Sequence, residues 1–414
     1  LDVVPLIDAG LTPPAIKGAA ALAHRAYGTD GLDDLLAFIN RPTPTEAAAA
    51  ALVFDSALAH QLRFRARQAR ALQTQALDRA QMFRVSESFV PRGARPLRLL
   101  ALVAPGDLMV NTPLDFITAH LDVRLDLLFV VPGKPLPERM PEHDVAFFAV
   151  SESDPATLRR LAPLFASWPR PALNDPARIP RLTRDGVAAG LRDAPGVLTL
   201  RIVVATRSDL EALSAIDGPI GKLLPGCDYP VLLRPSGSHA GQDFEKLDSP
   251  IELALYLEQS TTEKFFLSEF IDYRAPDGLF HKYRIVFIEH RPLVCHMASS
   301  EHWMVHYLNA GMADDEGKRA LEAAAFATFD AGFAHRHRAA LAAIDAWVGL
   351  DYHQIDCAEA PDGRLLLFEA DTAAIIHQMD PPDLFPYKPP QMQRVMRAFF
   401  SLLRRRAAGA RAAA

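Results

Sequence analysis

The stretch DYHQIDCAEAPDGRLLLFEADTAAIIH, residues 351–377, decides the reading of this chain. Its middle has the pattern of a β-hairpin. Cys357 to Ala360 end one strand, Pro361-Asp362-Gly363 supply the turn, and Arg364 to Ala370 form the returning strand. Such a hairpin folds Asp356 back beside Glu369 and Asp371. Those two acids are two positions apart on one strand, so their side chains leave on the same face. Three carboxylates then share one surface, flanked by Leu365, Leu366, Leu367 and Phe368. Anions gathered beside apolar neighbours repel unless a cation sits among them. All-oxygen ligation suits Mg²⁺, which takes a few carboxylates and leaves room for phosphate oxygens. The plain alternative is a surface hairpin with solvated acids.

The rest of the chain bounds what that hairpin belongs to. With 414 residues, of which 50% are hydrophobic, it is long enough for two to four structural units of globular composition. Its 44 Lys and Arg against 50 Asp and Glu leave a net charge of −6, which calls for neither nucleic acid nor an anionic membrane. Cys227, Cys295 and Cys357 are far apart and odd in number, without metal-ligand spacing. They argue against a disulfide framework and fit a cytoplasmic protein. No apolar run reaches membrane-spanning length, and the first residues do not read as a signal peptide.

Residues 14–90 are rich in Ala, Leu, Arg and Gln, with no proline between Glu46 and Val90, and read as a helical front end. It is expected to pack as a cap on the next domain, with a protein partner or a second copy as its other occupant. Pro91 to Ala94 reads as a linker. Leu97–Val103, Leu125–Val131 and Asp144–Val150 then read as strands, with a helix over Asp154–Trp168, which is the pattern of a parallel α/β sheet. The loop through Asn111-Thr112-Pro113 is a candidate substrate contact, since such sheets bind ligands at the carboxyl ends of their strands. Further strands are predicted at Val197–Ala205, Pro230–Pro235, Phe265–Ile271, Tyr283–Glu289 and Pro292–Ser299. Helices are predicted at Arg181–Leu191, Asp314–Val348 and Met392–Arg406.

Within this frame lie the residues of a nucleotide site. Arg234 ends a strand and runs into Ser236-Gly237-Ser238-His239-Ala240-Gly241, small residues that let backbone N–H groups approach phosphate. It is not the GxxxxGK[ST] loop. Glu269-Phe270-Ile271-Asp272 ends an apolar strand and could hold an adenine by its backbone and a ribose by Asp272. Lys282 and Arg284 share one face of the next strand. In HMASSEHWMVHY, His296, Ser299, Ser300, His302, Trp303, His306 and Tyr307 are candidates for an acceptor pocket. Each of these segments has an ordinary structural reading beside the functional one.

Taken in order, these parts resemble the ATP-grasp superfamily over residues 95–400 or so, and most of all glutathione synthetase and the RimK-type glutamate ligases. The carrying segments are VLLRPSGSHAG with Arg234, FFLSEFID with Glu269 to Asp272, HKYRIVFI with Lys282 and Arg284, and Asp356 followed by Glu369-x-Asp371. The resemblance implies an α/β fold, with an α+β ATP-grasp core. Four units are expected: a helical extension (1–93), an α/β domain (94–175), a small lid (176–270) and a large subdomain with the metal site (271–414). It further implies ATP bound by Arg234, Ser236, Gly237, Ser238, Gly241, Glu269 to Asp272 and Lys282, with Mg²⁺ on Asp356, Glu369 and Asp371. Arg234 and Arg284 would act in catalysis. The implied activity joins a carboxylate to an amine through an acyl phosphate, on an amino acid, small peptide or peptide terminus. A kinase-like phosphotransferase and a catalytically silent ATP-binding scaffold are the alternatives. The chain departs from the family pattern where Arg234 replaces Lys and Asp371 replaces Asn. The first ATP-binding lysine also lacks a clear counterpart, with Arg184 nearby.

Overall fold

The computed structural model describes residues 2–28, 31–86, 95–214, 218–236, 241 and 243–413. It is a mixed α/β structure built around three main sheets. The first is six-stranded, in the order Ala15–Ile16, Met82–Val85, Val123–Phe129, Leu97–Val103, Val145–Phe148, Ala172–Leu173. Leu97–Val103 is central and runs parallel to both Val123–Phe129 and Val145–Phe148. The strand order therefore reverses at its carboxyl end, the place where open α/β sheets bind small ligands. Its side chains alternate between two cores. Leu99, Ala101 and Val103 join one apolar cluster, and Leu100 and Leu102 join the other.

The front end is less separate than its composition suggests. Residues 15–16 and 82–85 are strands of the first sheet, and Met82–Val85 pairs antiparallel with Val123–Phe129. Helices Ala19–Tyr27, Leu32–Ile39, Glu46–Leu62 and Ala66–Arg79 cover one face of it. Phe54 stacks on Phe83 at 4.7 Å within a core that also holds Phe147 and Phe399. The expectation of a wholly helical extension is corrected by these strands. Four residues of alternating burial are too short to stand out beside long helical runs. The linker read at Pro91–Ala94 lies outside the described residues.

The second sheet is five-stranded, in the order Arg291–Ser300, Phe280–Ile288, Tyr352–Glu359, Leu365–Asp371, Val197–Thr199. The third is four-stranded and antiparallel, in the order Ile202–Thr206, Lys264–Glu269, Val231–Pro235, Glu245–Leu247, with its own small core around Leu233 and Phe265. The segment read as one strand over Val197–Ala205 is thus two. Val197–Thr199 ends in the second sheet, and Ile202–Thr206 begins the third. A second crossing between these sheets passes through Phe270 and Ile271. Glu269 holds the first crossing in place by accepting the backbone N–H of Arg201 at 2.8 Å.

Elsewhere the elements fall close to where the sequence places them. The strand expected at Leu125–Val131 is shifted to Val123–Phe129. The helical region after Asp314 is three helices, Glu316–Thr328, Phe333–Arg336 and Arg338–Val348. The last helix is Lys388–Ala413, longer than Met392–Arg406 because Pro389 and Pro390 sit in its first turn, where a missing N–H costs nothing. Among the described residues no helix is long and apolar enough to cross a membrane.

Candidate active site between two sheets

The site grows from the hairpin Tyr352–Glu359 and Leu365–Asp371. Gly363 takes φ +81° in its turn, a left-handed conformation that glycine adopts without strain. Pairing sets Asp356 opposite Glu369 and Gln354 opposite Asp371. Directly opposed residues share a face, so all four point the same way. The neighbouring strand Phe280–Ile288 places Arg284 opposite Asp356.

Each carboxylate has its own holder. Arg284 donates from Nε and Nη2 to the two oxygens of Asp356 at 2.8 and 2.9 Å, and Lys282 Nζ lies 2.8 Å from Asp356 Oδ2. Asp356 is only 2% exposed. Burial alone would raise its pKa, but the two cations outweigh burial and hold the carboxyl far below the usual range. Glu369 accepts from Arg184 Nη2 at 2.9 Å. Arg184 opens the helix Arg184–Gly190, which Thr183 caps from its side chain. Asp371 Oδ1 accepts the backbone N–H groups of Ala373 and Ala374 at 2.7 and 3.1 Å, and a bond from Gln354 Nε2. Burial, and then the charge of Glu369, push Asp371 up to about 6.

The three acids read from the hairpin are therefore brought to one face, but they do not form a cage. Among the described residues no three His, Cys, Asp or Glu side chains converge closely enough to hold a metal ion by themselves. Both oxygens of Asp356 are engaged by Lys282 and Arg284, which makes it a poor metal ligand in this arrangement. Glu369 and Asp371 match the sparser mode in which Mg²⁺ takes one or two carboxylates and completes its shell with water and phosphate oxygens.

Above this face a cleft opens between the second and third sheets. Arg234, Phe266 and Ser268 line it from the small sheet, and Lys282, Phe368 and Glu369 from the large one. Arg234 lies over the Phe244 ring at 5.0 Å. Burial, and then the charge of Arg184, lower its pKa to about 10. Phe270 and Ile271 line the cleft at the crossing between the sheets. Glu269 and Asp272 do not. They line a separate groove behind the crossing, where Glu269 bonds Arg201 and Asp272 accepts the Arg274 N–H at 3.1 Å. Their side chains shape the crossing, while Phe270 and Ile271 between them line the cleft. Ser236 is tied by its backbone N–H to Lys264 O at 2.9 Å. Gly237 and Ser238 lie outside the described residues. Gly241 reaches the cleft, where a Cβ would stand 2.6 Å from His306 Nε2.

The candidate acceptor residues do not act as one group. Trp303 and His306 line the cleft. Ser299 and Ser300 are buried in the strand Arg291–Ser300. His296 is buried beside the His377 ring at 5.7 Å, and Tyr307 donates to Glu322 at 3.0 Å. The main-chain N–H of His302 bonds Ser300 Oγ. Asn111 bonds Ala104 through its side chain, and so shapes the end of the central parallel strand.

One further acid lies at a place where open α/β sheets bind ligands. Glu152 follows the strand Val145–Phe148 at the carboxyl end of the parallel sheet. Burial, and then the charges of Asp371 and Glu369, push it up to about 7. The two acids of the hairpin are thus among its electrostatic neighbours. Gln354, two residues before Asp356, belongs to the same face by strand alternation alone.

No protein-family model matches this chain, and no curated protein matches it by sequence. Among solved structures, it is similar to the RimK-domain ATP-grasp protein of Sphaerobacter thermophilus. That match has 16% identity and a TM-score of 0.39, covering 73% of this chain and 98% of that one. It is also similar to the VanG D-Ala:D-Ser ligase of Enterococcus faecalis, with 13% identity and a TM-score of 0.44, covering 75% of this chain and 100% of that one.

Proposed function

We propose that this chain is an ATP-dependent ligase of the ATP-grasp type, joining a carboxylate to an amine through an acyl phosphate. The observation that carries the reading is the joint placement of Arg184, Arg234, Lys282 and Glu369 in the cleft between the second and third sheets, with Arg284 and Asp371 on the same face of the larger sheet. Cations and carboxylates alternate there, as handling a polyphosphate and its counter-ion requires. Phe270 and Ile271 offer backbone groups and apolar surface to a flat base. Arg234 and Lys282 neutralise phosphate from opposite walls of the cleft. Glu369 and Asp371 would hold Mg²⁺, which supplies charge neutralisation at the transferred phosphoryl group when bound.

The chemistry is then a matter of alignment. A substrate carboxylate oxygen attacks the γ-phosphorus of ATP, the bond to the bridging oxygen breaks, and ADP leaves. The amine attacks the acyl carbon, and phosphate departs carrying the former carboxylate oxygen. Arg284, fixed by Asp356 and close to Asp371 and Glu369, adds fixed positive charge where the acyl phosphate forms. The substrates are small molecules or a peptide end that carry these two groups.

The test combines melting curves with ADP release. ATP with Mg²⁺ should raise the melting temperature, because a ligand that binds only the folded state stabilises it. A pool of amino acids and short peptides should raise ADP release in the wild type and leave Glu369→Gln unchanged. Melting curves unaffected by ATP and Mg²⁺ would remove the reading.

A further inference from the structure

The last helix, Lys388–Ala413, has two working sides. Val395, Met396, Phe399, Leu402 and Leu403 enter the core beneath the parallel sheet. Beside that stripe, Gln393, Arg397, Phe400, Arg404 and Ala407 follow one another at steps of four and three residues, which keeps them on one helix face. This second stripe walls two grooves. The larger, of about 990 Å³, sets Arg397, Phe400, Arg404 and Ala407 against Arg98, Arg124 and His120 of the sheet side. The smaller, of about 440 Å³, adds Gln378 and Gln393. His120, Leu121 and Arg397 line both, so the two grooves adjoin.

The charge along this surface is uneven. Arg95, Arg98, Arg124, Arg397 and Arg404 line the larger groove with two acids, Asp122 and Asp144. Arg98 is engaged by Asp144 at 2.8 Å and by Glu142. Arg124 is held more loosely. Its Nε lies 3.8 Å from Asp126, too far for a hydrogen bond, and is buried with no such partner among the described residues. Arg397 and Arg404 are exposed and make no ion pair among the described residues. Arg397 donates to Gln393 O of its own helix at 3.2 Å, and Arg404 lies over the Phe400 ring at 5.8 Å. The whole chain carries −6, so a groove with surplus fixed positive charge stands out and selects an anionic partner.

Shape narrows the choice. From Gln393 to Ala407 the helix rises about 21 Å. That is the span of about six residues of extended chain. Arginine forks match carboxylates in pairs. A single-stranded nucleic acid would need rings on which to stack its bases, and here Arg404 already sits over Phe400. The net charge of the chain also repels a polyphosphate at long range.

We propose that this groove docks an extended, Asp- and Glu-rich segment of a partner protein, with its carboxylates on Arg124, Arg397 and Arg404. The assignment is independent of the ligase reading, since it uses neither the nucleotide cleft nor the acids of the hairpin.

Fluorescence anisotropy with a labelled peptide of about eight glutamates, long enough to fill the groove, tests it on the full chain. The wild type should bind the peptide, more weakly as salt is raised. Arg397→Glu combined with Arg404→Glu should weaken binding at least about tenfold. Both side chains are exposed, so the melting temperature and its response to ATP and Mg²⁺ should stay as in the wild type. Arg67→Glu combined with Arg70→Glu makes the same charge change on an exposed face of the front end and should leave binding within about twofold. Equal weakening by the two pairs would reduce the effect to bulk charge and overturn the assignment. So would a wild type that leaves the peptide unbound at low salt. An oligothymidylate of equal charge that displaces the peptide as well as unlabelled peptide does would overturn it in favour of nucleic acid.

Discussion

Asp356 and Asp371 lie on one face of one hairpin, yet their surroundings drive them in opposite directions. Arg284 and Lys282 keep Asp356 ionised, while burial beside Glu369 pushes Asp371 up to about 6. Substitutions at Asp371 and at its neighbour Glu369 should therefore differ. Asp371→Asn keeps an oxygen for the Ala373 and Ala374 amides and removes a charge that is costly there, so activity should fall by less than about tenfold. Glu369→Gln should abolish ADP release with little change in melting temperature, because its side chain is 29% exposed and held through a single arginine contact. Steady-state rates and melting curves of the two variants check this; equal losses would remove the distinction. Glu152 adds a pH signature. Folding raises its pKa from 4.5 to about 7, so its protonated form stabilises the native state at acid pH. That contribution is lost as pH rises from about 4.5 through about 7. Glu152→Gln should then raise the melting temperature of the nucleotide-free protein at pH 8, by an effect of order 2 kcal/mol, and change it little at pH 5. A variant less stable than wild type at pH 8 would contradict this.

At the scale of elements, the acidic hairpin was legible because alternation and a Pro-Asp-Gly turn are local signals. Asp356, Glu369 and Asp371 fall where that pattern sets them. The division of Val197–Ala205 between two sheets was not, because VLTLRIVVA is continuous in β-forming residues and only distant pairing separates its halves. The same holds for Glu152, whose electrostatic neighbours Glu369 and Asp371 lie more than two hundred residues along the chain, and for Arg184, whose partner Glu369 is 185 positions away. Helix Arg184–Gly190 positions that arginine by packing closely on Trp347. An added Cβ at Gly190 would lie 2.3 Å from the ring. A rigid indole that also carries Arg181 at 4.9 Å cannot give way cheaply. Gly190→Ala should cost about 1–3 kcal/mol in stability and weaken ATP binding by moving Arg184. Denaturant melts and nucleotide titrations would show it, and unchanged affinity in a destabilised variant would separate the helix from the site.

For the whole molecule, residues before Arg95 are part of the first sheet's architecture. They contribute Ile16, Leu22, Phe54 and Phe83 to a core shared with Phe147 and Phe399. Asp115 accepts the N–H of Ala20 at 2.8 Å at the start of the first front-end helix. A chain beginning at Arg95 should therefore aggregate on expression instead of binding ATP, as soluble yield and circular dichroism would show. Well-folded, nucleotide-binding material from that deletion would mean that the remaining core is sufficient. The central claim concerns where the γ-phosphoryl group goes, and oxygen transfer reports it directly. The protein is incubated with ATP, Mg²⁺ and a pool of amino acids labelled with ¹⁸O in their carboxylates, and the released phosphate is weighed by mass spectrometry. The account predicts phosphate carrying one ¹⁸O, formed in step with ADP. Phosphate free of label, with ADP formed at the same rate, would mean that water or another acceptor takes the phosphoryl group, and that no acyl phosphate is made.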